Sequence, residues 1–312
     1  MAALIPDDLP VVTTMGRHES GRAWLERLPE LITELRERWQ MRLGAPYQGG
    51  SCSWVAPAVL PDGGHAVFKV SWPHPEMLTE PTGLRLWDGR GAVRMYAYDA
   101  ERYALLLERC EPGTELARSH EVPAERRLRE ACAVLRELWA ADPAGAGLGT
   151  VAEVAGEWAD LAEERAGRQG WPPELDAGLF RTAADLLRDL PRTAGRDVVV
   201  HGDFNPGNLL AARRSPWLAI DPKPMSGDPA FDPWPLIEQV DDPFATPDPR
   251  RTLRRRTALV ADELGEDVSR VRAWAVARHV EYVLWSVDED ETLEPSVQLL
   301  RQARVLAEVA RL

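Results

Sequence analysis

One segment, residues 198–221, constrains the fold of this chain more than any other. It begins with three valines, Val198 to Val200, and continues with the polar loop His-Gly-Asp-Phe-Asn-Pro-Gly-Asn at residues 201–208. A second apolar run begins at Leu209, and a third ends directly before Asp221. Short apolar runs bounded by Gly, Pro and Asn are typical of buried strands. The segment therefore predicts strands that hold a polar loop and an aspartate.

The loop has the order H-x-D-x-x-x-x-N, and an aspartate follows thirteen residues later, as in a kinase catalytic loop. Phosphoryl transfer needs a hard cation beside the phosphates, and Mg²⁺ prefers oxygen ligands such as Asn208 and Asp221 can supply. The attacking hydroxyl needs a proton acceptor, and Asp203 fits that role. We expect His201 to organise the backbone rather than to transfer a proton. The alternative is that the acidic residues only form a turn and cap a strand.

The first third of the chain mixes helical and strand-like patterns. Apolar residues between Trp24 and Trp39 recur at helical spacing, but Pro29 interrupts them, which predicts two short helices. We predict strands at residues 53–60, 66–70, 92–98 and 103–107, and a helix at residues 75–87.

After residue 108 the pattern changes to amphipathic helices, which are clearest at residues 128–139, 151–161 and 276–287. Strands followed by helices predict an α+β architecture with two lobes. We expect a small N-lobe at residues 1–108, a hinge at residues 109–113 and a larger, mainly helical C-lobe at residues 114–312.

The charge of the chain restricts its partners. It has 37 Lys and Arg residues against 50 Asp and Glu residues, a formal net charge of −13. Nucleic acids and anionic membranes are bound through clustered basic residues, so we expect the chain to bind neither. An acidic surface attracts a cationic substrate, although it can equally serve solubility alone. The sequence has no signal peptide and no run of about 20 apolar residues, so we expect a cytoplasmic protein.

The three cysteines, Cys52, Cys110 and Cys132, form neither a CxxC motif nor an even set, so reduced thiols are expected. Cys132 falls on the apolar face of a predicted helix, which favours packing in the core.

The polar loop and its flanks resemble a known family. HGDFNPGN at residues 201–208, followed by AIDPKP at residues 219–224, resembles the aminoglycoside phosphotransferase superfamily. Within it, residues 83–94 and 227–232 are also similar to the aminoglycoside/hydroxyurea antibiotic resistance kinases. The resemblance implies a protein-kinase-like fold with an antiparallel N-lobe sheet, ATP and Mg²⁺ as cofactors, and phosphorylation of a small-molecule hydroxyl group.

The resemblance also implies roles in nucleotide binding. In a kinase N-lobe, a strand lysine holds the α- and β-phosphates and pairs with a helix glutamate. Lys69 is the only lysine in the first third of the chain, and we expect it in that role, with Glu80 preferred over Glu76 as its partner. Gly50 and Ser51 are small enough to let the backbone approach phosphate oxygens. An exposed lysine and an ordinary hairpin turn are the alternatives.

Three further features bear on the nucleotide site. We expect Glu108 and Cys110, at the hinge, to contact the nucleotide. Asp221 is followed by Pro-Lys-Pro instead of Phe-Gly, which argues against the activation-loop switching of protein kinases. Lys223 is expected either to contact a phosphate or to be exposed, and the resemblance favours a role for Asp232 in bracing the catalytic loop.

A cationic aminoglycoside such as streptomycin is the expected substrate, bound by acidic residues of the C-lobe through charge-assisted hydrogen bonds. The candidates are Asp241, Asp242, Asp288, Glu289 and Asp290. Each of them can instead cap a helix or carry solvated charge. Trp234 and Trp285 are candidates for stacking on a sugar ring, with core packing as the alternative.

Other functions are compatible with the same motifs. A kinase of this fold could act on hydroxyurea, another antibiotic, an amino sugar or a choline-like alcohol. A catalytically silent binding module is the non-enzymatic alternative, and the presence of Lys69, Asp203, Asn208 and Asp221 together argues against it.

Overall fold

The computed structural model describes residues 4–167, 177–289 and 294–312, without the side chains at positions 75–76, 177, 287–289 and 294. The α+β architecture expected from the sequence is confirmed. An antiparallel sheet lies in the first third of the chain, and helices dominate the rest.

The part before residue 109 combines helices with a five-stranded antiparallel sheet, as far as the described residues extend. The helices are α1 (Pro10–Met15), α2 (Glu19–Arg38) and α3 (Pro75–Trp87). The strands are β1 (Arg42–Leu43), β2 (Ser53–Val59), β3 (His65–Ser71), β4 (Met95–Asp99) and β5 (Ala104–Glu108). Their spatial order is β1-β2-β3-β5-β4, and α3 has the predicted bounds.

The prediction of two short helices around Pro29 is wrong, because α2 continues through the proline. One face of α2 buries Trp24, Leu28, Ile32 and Leu35, none of them more than 7% exposed. A proline inside a helix costs about 3 kcal/mol. Burial of a large apolar side chain stabilises by about 1.5–3 kcal/mol, so four of them outweigh the proline.

The rest of the chain is mainly helical. Its helices are α4 (Ala124–Leu138), α5 (Val151–Gly167), α6 (Ala177–Arg192), α7 (Pro233–Gln239), α8 (Pro249–Leu264), α9 (Val268–Glu289) and α10 (Glu294–Ala310). Short strands lie between α6 and α7, namely β6 (Val198–Val200), β7 (Leu209–Ala211), β8 (Trp217–Ala219) and β9 (Met225–Gly227). β6 pairs with β9 and β7 pairs with β8, both antiparallel.

Some strand bounds differ from the prediction. The strand predicted at residues 92–98 begins only at Met95, because Ala92 forms a bridge with Ala219 of β8 instead. β1 and β9 were not predicted, since two residues in β1 and the sequence Met-Ser-Gly in β9 give no apolar run.

The described residues pack into two hydrophobic cores. The smaller core lies between α2 and one face of the sheet, where Leu28, Trp54 and Phe68 are at most 1% exposed. The larger core contains the later helices, and Trp87 of α3 and Leu107 of β5 also belong to it. The other face of the sheet is thus turned toward the helical part of the chain.

No helix within residues 4–167, 177–289 or 294–312 combines the length and the apolarity that a membrane crossing requires.

Candidate active site

Strand alternation places Lys69 on the face of the sheet that is turned toward α3. Ala66, Phe68 and Val70 are fully buried in the smaller core, so Lys69 points the other way. Its ammonium donates to both carboxylate oxygens of Glu80 in α3, at 2.9 and 2.7 Å. Glu80 is therefore in contact with the lysine, as the sequence favoured.

The same ammonium reaches the part of the chain that follows β8. It donates to Oδ1 of Asp221 at 2.6 Å. Lys69 and Glu80 are 5% and 1% exposed, whereas the Asp221 side chain is 55% exposed. Glu76, the other candidate partner, has its side chain outside the described residues.

The two carboxylates fix the charge of Lys69. Burial alone would lower the pKa of Lys69, but Asp221 and Glu80 outweigh burial and raise that pKa above its ordinary value. In turn, the Lys69 ammonium lowers the pKa of Asp221. At neutral pH the lysine is therefore protonated and Asp221 is ionised.

The β7–β8 hairpin brings Asn208 and Asp221 together. Leu209 pairs with Ala219 at the open end of the hairpin, and the N–H of Ile220 donates to the carbonyl of Asn208 at 2.9 Å. Asn208 and Asp221 therefore flank this end. Asp221 has a φ of +53°, a left-handed conformation that costs a residue with a side chain about 1–2 kcal/mol. Such strain is found most often at functional sites.

Hydrogen bonds order the loop that carries Asp203. Nδ2 of Asn205 donates to Oδ1 of Asp203 at 3.0 Å, and Oδ1 of Asn205 accepts from the N–H groups of Gly207 and Asn208 at 2.9 and 3.2 Å. Nδ2 of Asn208 donates to the carbonyl of Asp203 at 3.0 Å. The amide nitrogen of Asn208 is thus used within the loop, and no residue that the structure describes donates to its amide oxygen.

Asp232 braces the start of this loop, as expected. Its fully buried carboxylate accepts from the N–H groups of His201 at 2.8 Å and Gly202 at 2.9 Å, and from the indole of Trp139 at 3.0 Å. Burial raises the pKa of Asp232, and these hydrogen bonds partly offset that effect. The carboxylate thereby ties the loop to the residue that follows α4.

His201 is buried and organises the backbone, in agreement with the sequence prediction. Its Nε2 donates to the carbonyl of Ile220 at 3.1 Å, and its Nδ1 accepts from the N–H of Asp203 at 3.3 Å. The ring also stacks on Trp87, with 6.2 Å between the ring centroids. Burial lowers the pKa of His201, so the ring is neutral. Both nitrogens are occupied, which leaves neither for proton transfer.

Gly202 is required where the loop meets the Pro-Lys-Pro segment. It has a φ of +83°, and a Cβ at this position would overlap the carbonyl oxygen of Lys223. The N–H of Lys223 donates to the carbonyl of His201 at 2.8 Å. The segment after Asp221 is thus packed directly against the catalytic loop.

Gly50 and Ser51 lie in the loop that precedes β2. Gly50 has a φ of +84°, and Ser51 is exposed. The N–H of Trp72 donates to the carbonyl of Cys52 at 2.8 Å, which fastens the end of this loop beside the end of β3. Contact of this loop with phosphate stays a prediction.

The Glu108 side chain is held by other protein groups. Its carboxylate accepts from Arg214 at 2.9 and 2.7 Å and from the N–H of Arg94 at 3.0 Å. Arg214, in the turn between β7 and β8, also donates to the carbonyls of Gly89 and Ala92. Arg214 was not among the predicted site residues, because nothing in the neighbouring sequence marks it as a partner of the hinge.

Cys110 and Cys132 are buried thiols. Cys110 is 8% exposed and Cys132 is fully buried, which confirms the core packing expected for Cys132. Burial raises the pKa of the Cys110 thiol to about 12, so that thiol is protonated at neutral pH.

The acidic substrate candidates differ in their surroundings. Asp241 forms an ion pair with the buried Arg127, and Asp242 caps a short 3-10 helix by accepting from the N–H of Phe244 at 2.8 Å. Asp290 and the side chains of Asp288 and Glu289 lie outside the described residues.

The two tryptophan candidates also differ. Trp234 is 1% exposed in the larger core, whereas Trp285 is 46% exposed. The indole of Trp285 donates to the carboxylate of Glu281, which was not among the predicted site residues. A glutamate beside Val280 and Val283, which lie on the predicted apolar face of α9, was the signal that could have found it.

Comparison with known proteins places the chain among kinases. Residues 38–290 match the model of a family described as aminoglycoside/hydroxyurea antibiotic resistance kinase. The chain is 35% identical over 304 residues to streptomycin 6-kinase of Streptomyces glaucescens, with 96% of each chain covered. It is also 35% identical over 301 residues to hydroxyurea phosphotransferase of Kitasatospora aureofaciens, with 93% of this chain and 82% of the relative covered.

Among solved structures, the choline kinase from Streptococcus pneumoniae matches with a TM-score of 0.64 at 15% identity, with 90% of this chain and 99% of that chain covered. At this identity the likeness concerns the fold alone, and it confirms the kinase-like fold expected from the sequence.

Proposed function

We propose that this chain, which belongs to the aminoglycoside/hydroxyurea antibiotic resistance kinase family, transfers the γ-phosphate of ATP to a hydroxyl group of streptomycin or a related aminoglycoside. The observation that carries the proposal is the contact of one ammonium, that of Lys69, with both Glu80 and Asp221. Kinases depend on this combination to position the phosphates and the metal ion.

Lys69 is assigned to the α- and β-phosphates, and Glu80 keeps its ammonium in place. The backbone of Gly50 and Ser51 is assigned to the phosphates as well. Glu108 and Cys110 are assigned to the base of the nucleotide through their backbone groups, since the Glu108 carboxylate is held by Arg214.

The oxygens of Asn208 and Asp221 fit Mg²⁺. Asn208 uses its amide nitrogen in the bond to the Asp203 carbonyl, which leaves the amide oxygen for a cation. Asp221 uses Oδ1 in the bond to Lys69, which leaves Oδ2. Mg²⁺ is usually held by one or two protein oxygens, with waters and substrate phosphates as its other ligands. When bound, the ion would neutralise charge on the phosphates.

Asp203 is assigned as the proton acceptor. The oxygen of the acceptor hydroxyl attacks the γ-phosphorus, and the bond from that phosphorus to the β–γ bridging oxygen breaks. The hydroxyl proton passes to the Asp203 carboxylate, and ADP leaves with the bridging oxygen. Asn205 orients Asp203 through its 3.0 Å hydrogen bond. A positioned base of this kind typically contributes about 10²–10⁴-fold.

The assignment as an ATP-dependent kinase also implies two lobes and a cellular compartment. Residues 1–108 form the nucleotide-binding N-lobe, residues 109–113 the hinge and residues 114–312 the C-lobe. The need for ATP favours the cytoplasm.

Hydroxyurea is the second candidate acceptor, because the chain is equally identical, at 35%, to a hydroxyurea phosphotransferase. The net charge of −13 favours the aminoglycoside, which is a polycation, whereas hydroxyurea is neutral. A catalytically silent binding module is disfavoured, because such a module has no chemical need for Lys69, Asp203, Asn208 and Asp221 together.

A panel of acceptors tests the proposal. ADP release is measured with streptomycin, other aminoglycosides, hydroxyurea, amino sugars and choline, and mass spectrometry follows the gain of one phosphoryl group on the acceptor. Asp203→Ala serves as the blank. We expect the unmodified protein to phosphorylate streptomycin much faster than Asp203→Ala does. Transfer to hydroxyurea alone would replace the first candidate by the second.

A further inference from the structure

We propose that Glu281 and Trp285, one helical turn apart in α9, form a subsite that binds a cationic group of the acceptor. The inference deepens the proposed function and rests on it. Such a group is a guanidinium or an ammonium, and the subsite would select acceptors by charge.

Glu281 is buried although it carries a carboxylate. Glu281 is 6% exposed, and one oxygen of its carboxylate accepts a hydrogen bond from the indole of Trp285. A buried carboxylate costs free energy when it is ionised unless a cation or several donors compensate for it. Among the described residues, Glu281 has one such donor, the indole N–H of Trp285.

In the part of the chain that the structure describes, no Lys, Arg or His nitrogen forms an ion pair with Glu281. Arg278 lies about one turn earlier on the same helix, but its guanidinium lies over the ring of Phe231 at 4.1 Å and near that of Trp158 at 5.4 Å. A cationic group of the acceptor could pair with this carboxylate and so compensate for its burial.

Helix α9 packs beside the residues that brace the catalytic loop. The guanidinium of Arg278 lies over the ring of Phe231, and the next residue, Asp232, accepts from the N–H groups of His201 and Gly202. Burial is the main reason that the pKa of Glu281 is raised, and the negative charge of Asp203 adds to it, while Arg278, Trp285 and Lys223 oppose it. Asp203 also contributes to the raised pKa of Tyr282, the next residue. A substrate that presents its hydroxyl to Asp203 could thus place a cationic group beside α9.

Trp285 adds a second means of recognition. Of the tryptophans whose side chains the structure describes, it is the only one among the exposed large apolar residues. Its hydrogen bond to Glu281 fixes the orientation of the ring. Indole is the ring that attracts cations most strongly through its face. A planar guanidinium could therefore lie against the ring while it donates to the Glu281 carboxylate.

The subsite offers less to a neutral acceptor. A neutral N–H or O–H group can donate to the Glu281 carboxylate, but it lacks the ion pair with that carboxylate and the attraction of a cation to the ring face. The contribution of Glu281 should therefore be larger with streptomycin than with hydroxyurea.

Three variants at the subsite separate the role of the charge from that of the ring, and a fourth, at a distant glutamate, is the control. Glu281→Gln removes the charge but keeps an oxygen that can accept from the indole. Trp285→Ala removes the ring, and Trp285→Phe keeps a ring that attracts cations less strongly. Glu101→Gln, at an exposed glutamate in the turn between β4 and β5, controls for the change in net charge.

We expect Glu281→Gln to raise the KM for streptomycin about ten- to a hundred-fold, the range of a hydrogen bond to a charged group. The KM for ATP, any turnover of hydroxyurea and the melting temperature should stay close to those of the unmodified protein. Trp285→Ala should raise the KM for streptomycin and Trp285→Phe should raise it less, while Glu101→Gln leaves it unchanged. A KM for streptomycin that Glu281→Gln does not change overturns the inference.

Calorimetric titration with streptomycin distinguishes failure of the inference from failure of the proposed function. If the unmodified protein binds streptomycin without phosphorylating it and Glu281→Gln weakens binding, the result supports the subsite and contradicts the proposed function. If phosphorylation occurs and neither Glu281→Gln nor Trp285→Ala changes the KM or the affinity for streptomycin, the result supports the proposed function and contradicts the subsite. Absence of both binding and turnover with streptomycin overturns both. Trp285 is exposed, so the alanine variant is a test that does not depend on the buried position.

Discussion

The side chains of Lys69 and Asp221 are joined by a hydrogen bond of 2.6 Å although 152 residues separate them in the sequence. The bond connects β3 of the sheet to the end of the β7–β8 hairpin. Because Lys69 also holds Glu80, a single ammonium links the sheet, α3 and the hairpin. The geometry proposed for phosphate binding thus depends on how these three elements pack.

Removal of the Lys69 charge should therefore affect both stability and nucleotide affinity. Lys69→Met leaves Glu80 buried without its cation, and breaking a buried ion pair in this way costs about 3–5 kcal/mol. We expect a fall of that size in the free energy of unfolding, measured by urea denaturation, with a higher KM for ATP. Glu80→Gln in the Lys69→Met background should recover part of the stability. An unchanged stability in Lys69→Met would contradict the importance of the pair.

Asp203→Ala should lower turnover by about 10² or more while leaving the fold intact. Asp203 is partly exposed, accepts from Asn205 and lies outside both cores, so the melting temperature should hardly change. The measurement is the single-turnover rate with saturating ATP and acceptor, beside a titration of ATP affinity. Turnover equal to that of the unmodified protein would refute the assignment of the base.

Asn208→Ala and Asp221→Ala should weaken the binding of ATP in the presence of Mg²⁺. Both variants remove an oxygen assigned to the ion, so calorimetry should show lower affinity for the magnesium–nucleotide complex. Binding measured with EDTA and without Mg²⁺ is the control, and there Asn208→Ala should resemble the unmodified protein. Equal affinity of all three proteins in Mg²⁺ would count against the ligand assignment.

Gly202→Ala should destabilise the protein more than the same change at Gly63. Both glycines have nearly equal φ values, +83° and +82°, so both substitutions meet the left-handed penalty of about 1–2 kcal/mol. A Cβ at Gly202 would also overlap the Lys223 carbonyl, whereas one at Gly63 would meet nothing within 4 Å. Urea denaturation of the two variants compares these effects directly. Equal losses of stability would show that the loop can move away from Lys223.

Arg214→Gln should lower stability in a way that depends on pH. Burial alone would raise the pKa of Glu108, but the bonds from Arg214 and Arg94 lower that pKa below its ordinary value of 4.5. A lowered folded-state pKa contributes stability above the unfolded-state value and loses it as pH falls through the folded-state value. We expect a loss of about 1–3 kcal/mol at pH 7 in the variant.

The difference in the free energy of unfolding between the variant and the unmodified protein should shrink as pH falls below 4.5, the ordinary pKa, toward the lowered folded-state pKa at which Glu108 becomes protonated. Denaturation at several pH values between 3 and 7 measures this. A difference that stays constant with pH would mean that Arg214 acts through the carbonyls of Gly89 and Ala92 rather than through Glu108.

Much of the candidate site could be predicted because its residues are consecutive or have a fixed spacing. The loop from His201 to Asn208 carries its own order of residues, and the apolar runs around it predict the strands that hold it. The pairing of Lys69 with Glu80 could be expected from the kinase pattern once the catalytic loop was identified. Local patterns also gave α3 its bounds.

Contacts between distant residues could not be predicted. Arg214 and Glu108 are 106 residues apart, and neither has a neighbour that marks the pair. The helix break predicted at Pro29 was wrong, because tertiary packing of α2 outweighs the local preference of proline. Glu281 was missed because a single acidic residue on an apolar helix face indicates burial of a carboxylate but does not show which groups surround it.

The hairpin of β7 and β8 also limits how this chain can evolve in length. Asn208 and Asp221 stand at its open end, and the paired strands set their separation. A residue inserted in either strand would shift the pairing by one and turn the following side chains to the other face. An insertion in the turn at residues 212–216 would leave the open end as it is, provided that Arg214 still reaches Glu108. Length changes in functional relatives should therefore accumulate at the tip of this hairpin and be excluded from its strands.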